Sequence, residues 1–137
     1  MKALKVSVVL FALFLGLNLS AQNLLGYKYK DIKQYMRENQ KEMSFQGFTF
    51  NNTFKYLKYS DIEGNQTVLF FLTADSVCKS IRLVCDRSLK TEKLKELDAK
   101  YKKSGPNSWT DNKGGRNYEI EMREEEFTFN VTITIKD

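Results

Sequence analysis

The stretch FTFNVTITIK, Phe127 to Lys136, alternates without a miss. Phe127, Phe129, Val131, Ile133 and Ile135 fall on one side, and Thr128, Asn130, Thr132, Thr134 and Lys136 on the other. A side-chain period of two predicts a β-strand with one face on a core and one in water. Comparable runs rich in aromatic and β-branched residues are FTF at Phe48–Phe50, TFKYLKY from Thr53, TVLFFL from Thr67, VCKSIRLVC from Val77, a short run around Trp109, and NYEIEM from Asn117. The segments NN, DIEGN, TADS, DNKGG and REEE separate them as turns.

Two stretches carry helical spacing instead. DIKQYMRENQKEM, from Asp31, has Asp31 as N-cap, Gln34 three residues on, and Ile32, Tyr35 and Met36 on one side. TEKLKELDAKYKKSG, from Thr91, turns Leu94, Leu97 and Tyr101 inward, starts on Thr91 and stops at Gly105 and Pro106. Glu96 with Lys100 and Asp98 with Lys102 are favourable four-residue pairs. Helix and strands therefore follow each other twice. This order predicts an α+β fold in two layers, with an antiparallel sheet of about six or seven strands and two helices on one face. A shift of fifty residues carries Tyr59 onto Trp109, Gly64 onto Gly114, Phe70 onto Ile120 and Leu83 onto Ile133, whereas the helices need about sixty-two to bring Ile32 onto Leu94. A duplicated α-β-β-β unit and a chance match of two similar meanders account for this equally well.

The tandem order of helix and strands resembles that of the β-lactamase inhibitor protein family, and less closely that of small periplasmic PepSY-like and outer-membrane-assembly domains. The resemblance lies in the order of elements across residues 22–137 and in no residue motif. It implies a rigid secreted domain that binds another protein through its sheet surface, and it transfers no functional residue.

The N-terminus supplies an address. Met1 to Lys5 is a short basic start, Val6 to Leu17 an almost unbroken apolar run, and Ser20 and Ala21 are small residues. This is the pattern of a secretory signal peptide spanning residues 1–21, which leaves one α+β domain at 22–137. A membrane-spanning helix needs about 20 apolar residues, and polar Asn18, Ser20 and Gln22 arrive too early. No cysteine lies near the cleavage point to carry a lipid. The expected location is secreted or periplasmic, without a membrane span. Of the formal charge of +5, the leader removes two lysines and no acid. So modest an excess outside the cytoplasm makes nucleic acid a poor partner and reads as solubility.

Candidate chemistry is sparse. The chain has no histidine, which removes the commonest general base, the usual partner of a serine or cysteine nucleophile, and the commonest metal ligand. No catalytic constellation and no cofactor or metal motif is present, so an enzyme is not expected. Cys78 and Cys85 are the only cysteines. Seven residues apart in one straight strand, they would lie on opposite faces and roughly 23 Å apart, too far for a disulfide. Cys85 then reads as a buried small hydrophobe, while Cys78, on the face of Ser80 and Arg82, is either a partly exposed thiol or one covered by a loop or helix end. Glu124 to Glu126 read as a solvated turn, lacking the alternating carboxylates of a calcium loop. Glu119 and Glu121 belong on the wet face, where Arg82 and Arg123 can answer them. The lysines from Lys90 to Lys103 are interspersed with Glu92, Glu96 and Asp98, as on an ordinary solvated helix.

One strand breaks the pattern. In TVLFFL, Val68, Phe70 and Leu72 suit the core, which puts Leu69 and Phe71 on the otherwise polar face. An exposed apolar island marks a partner or self-association site, with Tyr56 and Tyr59, and also Tyr27 and Tyr29, as the tyrosines to line it. Equally, the leader from Gln22 to Lys30 or the loop around Phe45 folds over it. The expected function is a secreted or periplasmic non-catalytic binding or inhibitory module acting on an unknown protein or envelope component through Leu69, Phe71, Tyr56 and Tyr59. A self-associating structural component of the envelope, a homodimer across the same island, is the alternative. Protein recovered from outside the cytoplasm is expected to begin at Gln22 by mass spectrometry, and an intact Met1 would overturn the signal-peptide reading.

Overall fold

The computed structural model describes residues 24–136, so the predicted signal peptide at 1–21 lies outside the described residues. Helix α1, Tyr29–Asn39, is followed by strands β1 Met43–Phe50, β2 Lys55–Asp61, β3 Gln66–Leu72 and β4 Cys78–Asp86. A 3-10 turn at Arg87–Leu89 leads into α2, Lys90–Lys100, and then β5 Lys102–Gly105, β6 Ser108–Lys113, β7 Arg116–Glu124 and β8 Thr128–Lys136. All eight strands form one sheet in the order β1-β2-β3-β4-β8-β7-β6-β5, antiparallel throughout. The two-layer α+β fold is the expected one, with one strand more than the six or seven predicted.

The extra strand comes from the end of the second predicted helix. That helix stops at Lys100, and its C-cap Tyr101 is already extended, at φ −118 and ψ 160. Strand β6 offers Lys102 and Lys103 partners at Thr110 and Trp109, and strand pairing wins over the helix propensity of four polar residues. At Gly105, where the two strands meet, a Cβ would lie 2.6 Å from Ser108 Oγ, so a larger residue there would make that hydroxyl turn aside. Helix α1 starts two residues before Asp31. Its first N–H, from Tyr29, donates to the Ser76 carbonyl at 2.9 Å, and Lys28 forms a bridge with Val77. A backbone partner thus replaces the expected side-chain cap, and Asp31 sits in the first turn, where the helix dipole favours a carboxylate. Phe127 is not part of the last strand's apolar row. It is 75 % exposed in a turn closed by Glu125 N–H donating to the Thr128 carbonyl.

The core lies between the helices and one face of the sheet. Ile32 and Met36 of α1 and Leu97 of α2 descend onto Leu57, Val68, Phe70, Ile81, Ile120, Phe129 and Val131, all buried. Trp109 is fully buried and its Nε1–H donates to Asp98 Oδ1 at 2.9 Å, which ties α2 to β6. Leu24 plugs the crevice between the helices, and Leu25 is buried beside it in sequence. The remaining cavity there is about 30 Å³, on the scale of one water molecule.

The strand register makes the internal repeat concrete. Tyr59 pairs with Val68 and Val68 with Leu83, while Trp109 pairs with Ile120 and Ile120 with Ile133. The correspondence is therefore fifty residues for β2 with β6 and for β4 with β8, but fifty-two for β3 with β7. The helices align at sixty-one, with Ile32 on Lys93, Met36 on Leu97, and the C-caps Gln40 on Tyr101. The repeating unit is one helix and four strands rather than one helix and three.

Cys78 and Cys85 are both free and both buried, and they share the core face. The register slips between Phe71 and Leu72, where Phe71 pairs with Ser80 but Leu72 with Cys78. Lys79 is the extra residue of a bulge, and an odd insertion flips every side chain beyond it. The straight-strand expectation of opposite faces fails for that reason. Gly26 and Tyr27 bond to the Cys78 backbone and complete its cover. Burial drives the Cys78 thiol up to about 12 and the Cys85 thiol up to about 11. Because the thiolate is the reactive form, both thiols are expected to resist alkylation in the native protein up to about pH 10. Unfolding without reductant should then release two titratable thiols per chain, and finding none would show a disulfide and a broken β4.

Candidate interaction surface

On the face away from the helices, the sheet is polar for most of its width. Ser80, Thr132, Thr134, Glu119 and Glu121 stand side by side across β4, β8 and β7. Thr132 lies between Arg82 and Glu121, so the expected direct pairing of that arginine with the glutamates does not form. Among the described residues neither Glu119 nor Glu121 makes an ion pair. The acidic turn does have cationic partners: Lys90 bonds to Glu124, Arg87 approaches it at 4.0 Å, and the lysine holds the Glu124 carboxyl below its usual range.

At β2 and β3 the outer face changes character. Tyr56 pairs with Phe71 and Lys58 with Leu69, so Tyr56, Leu69 and Phe71 are brought together as expected. The Tyr56 and Phe71 rings lie 5.6 Å apart and tilted. Phe54, 52 % exposed, adds a third ring 6.4 Å from Phe71. From β4, opposite Leu69, Arg82 lays its guanidinium 5.1 Å from the Phe71 centroid. Its Nε has no hydrogen-bond partner among the described residues. The hydroxyls of Ser60 and Thr67, 2.9 Å apart, close the island on one side.

Three of the expected tyrosines do not join it. Tyr59 is 4 % exposed and faces the helices, packed on Phe70 and Phe45. It is odd-numbered with Leu57 in a strand whose even positions face out, so it leaves the proposed surface. Burial raises its phenol, then nearby Tyr29 adds to the rise while Arg37 opposes it. Tyr29 packs edge-on against Phe48 at 5.4 Å on the helix side, and Tyr27 lies beside Cys78. From Leu24 onward the leader runs into the core, and Phe45 belongs to β1 on the helix side. Neither of the two expected covers lies on the island.

Phe54 and Arg82 were not anticipated. Phe54 was within reach, since it stands two residues before Tyr56 and alternation alone puts both on one face. Arg82 was not, because its place over Phe71 depends on the β3–β4 register. The hairpin tip that holds Phe54 is set by Asn51, whose Oδ1 accepts the N–H groups of Thr53 and Phe54 at 2.8 and 2.7 Å, an Asx turn. No protein-family model, no curated protein and no solved structure matches the chain.

Proposed function

We propose that this chain is a non-catalytic binding module, working outside the cytoplasm, that holds a partner protein on the outer face of its sheet at Phe54, Tyr56, Leu69 and Phe71. One observation carries the reading: a cluster of three rings and a leucine, with Phe54 exposed and Tyr56, Leu69 and Phe71 partly so, interrupts an otherwise polar sheet face. Interface centres are enriched in aromatic residues and arginine, and Arg82 stacked on Phe71 supplies the latter. Because Tyr56, Leu69, Phe71 and Arg82 stand on strands hydrogen-bonded to their neighbours and Phe54 on a turn fixed by Asn51, the surface is preorganised and loses little conformational freedom on binding. The expected signal peptide and the tandem helix-and-strands order point the same way. Self-association through the island is the weaker reading, since a second copy would bring Lys58 and Arg82 against their own counterparts.

The double substitution Leu69→Thr with Phe71→Thr tests it. Thr preserves strand propensity, and full burial of each side chain would be worth about 1.5 to 3 kcal/mol. Both side chains are partly buried in the cluster, so the thermal midpoint is expected to fall by less than full burial of the two would cost. A photo-crosslinking residue at position 56 should trap one partner protein in cell-envelope or culture fractions, and the double variant should lose it. A large fall in midpoint, or crosslinks only between copies of the chain, would overturn the proposal.

A further inference from the structure

The two halves of the fold differ most in one place. Eleven more residues lie between Gln40 and Tyr59 than between Tyr101 and Trp109; two, Lys41 and Glu42, join α1 to β1 and the other nine lengthen the first hairpin, so that edge strand β1 has eight residues and edge strand β5 four. The longer hairpin holds Phe45, Phe48, Phe50 and Phe54, four of the seven large hydrophobic residues exposed among those described. The positive charge gathers on the same flank. Residues 28–60 contain seven Lys and Arg against three Asp and Glu, whereas residues 61–136 contain thirteen of each.

These features meet in a recess between α1 and β1. Its volume is about 310 Å³ and its lining includes Lys33, Arg37, Lys41, Phe45 and Tyr59, with no carboxylate. Lys33 and Arg37 are one helical turn apart, and Lys41 continues the row. Lys33 is held between two rings, 5.4 Å from the Tyr29 centroid and 4.7 Å from that of Phe45. Glu38 points elsewhere and accepts from Gln34. A bulge between Phe45 and Gly47, where Gly47 adopts φ 147, turns Phe45 and Phe48 to the same helix-facing side. Beside this recess runs an edge strand, and half of an edge strand's backbone donors and acceptors lack a partner strand.

From this juxtaposition we infer that β1 is a strand-addition site for an extended acidic segment of another protein, whose alternate carboxylates enter the Lys33–Arg37–Lys41 recess. Backbone pairing would supply affinity and the recess selectivity, the usual division in β-augmentation. The site is separate from the island on the other face. The chain itself does not provide the occupant. Residues 1–23 contain no Asp or Glu, the glutamates of β7 lie in a strand paired on both sides, and joining two β1 edges would set two basic recesses on one face of the combined sheet. A free edge at the recess distinguishes a polypeptide from a flat anionic surface, which would use the charge and leave the backbone unpaired.

The test uses a fluorescein-labelled ten-residue peptide alternating Glu and Val, with the protein comprising residues 22–137. Anisotropy should report binding with Kd below about 1 mM, weakened severalfold between 50 and 200 mM salt. The exposed-site charge reversal Arg37→Glu with Lys41→Glu should weaken it at least tenfold, while Lys95→Glu with Lys113→Glu changes it less than twofold. Methylating alternate backbone nitrogens of the peptide should also cost at least tenfold, a measurement that needs only the unmodified protein. Hydrogen exchange should slow at β1 amides on binding. No binding, or binding indifferent to charge reversal or to N-methylation, would overturn the proposal. So would capture of the protein by vesicles containing phosphatidylglycerol when the peptide does not bind.

Discussion

Everything in this molecule hangs on the pairing of β4 with β8. Each half is a helix laid over a four-stranded meander, and each meander is assembled from contacts close in sequence. Only the seven registered pairs from Ser80 with Thr134 to Asp86 with Thr128 join the halves into one sheet. They set Ile81 beside Ile133, Leu83 beside Val131 and Cys85 beside Phe129, so the deepest side chains of both halves meet beneath the gap between α1 and α2. Leu24 fills that gap from above. A lone meander under one eleven-residue helix would leave this row half open to water, at about 1.5 to 3 kcal/mol for each large side chain uncovered. The joint is also the most non-local feature of the chain, and its formation must bear the loop-closure cost of the whole second half.

Period-two alternation is a strong signal wherever a strand keeps one face on a core. For that reason the two layers, the helix-facing residues of β3, β7 and β8, and the placement of Leu69 and Phe71 on the outer face were legible before any coordinates. What escaped were the places where tertiary pairing overrides local preference. Lys102 to Gly105 carry no alternation and extend a helical pattern, and only the presence of β6 makes them a strand. The bulge at Lys79 leaves no mark in VCKSIRLVC, yet it reverses the face of Cys78 and with it the reading of both thiols. Tyr59 was misplaced for a simpler reason. Residue type is the same for Tyr56 and Tyr59, and only their parity in the strand separates them.

The repeat also shows how a symmetric scaffold acquires a distinct face. The slip from fifty to fifty-two between β3 and β7 keeps parity, so every core position still finds a core counterpart, and Tyr59 and Trp109 occupy equivalent buried sites. Lengthening a hairpin at the sheet edge disturbs none of these pairs, because β1 is bonded to β2 alone. Surface chemistry can therefore change there at little cost to the core. The same insertion inside β3 or β4 would shift the β4–β8 joint.

Edge strands reveal which of the two ends is built to be left alone. A sheet ending in a long apolar strand invites unwanted pairing, and proteins blunt such ends with short strands and lysines. Strand β5 has both devices, with four residues of which two are lysine. Strand β1 has neither, and Phe50 remains 70 % exposed near its tip. Its bulge at Gly47 interrupts the edge without shortening it, and the cations beside it stand on α1 rather than on the strand. Charge placed there repels another copy of the same edge, since like recesses would be brought together, while leaving the backbone free. Protection against self-pairing and openness to an oppositely charged strand follow from one arrangement of three cations.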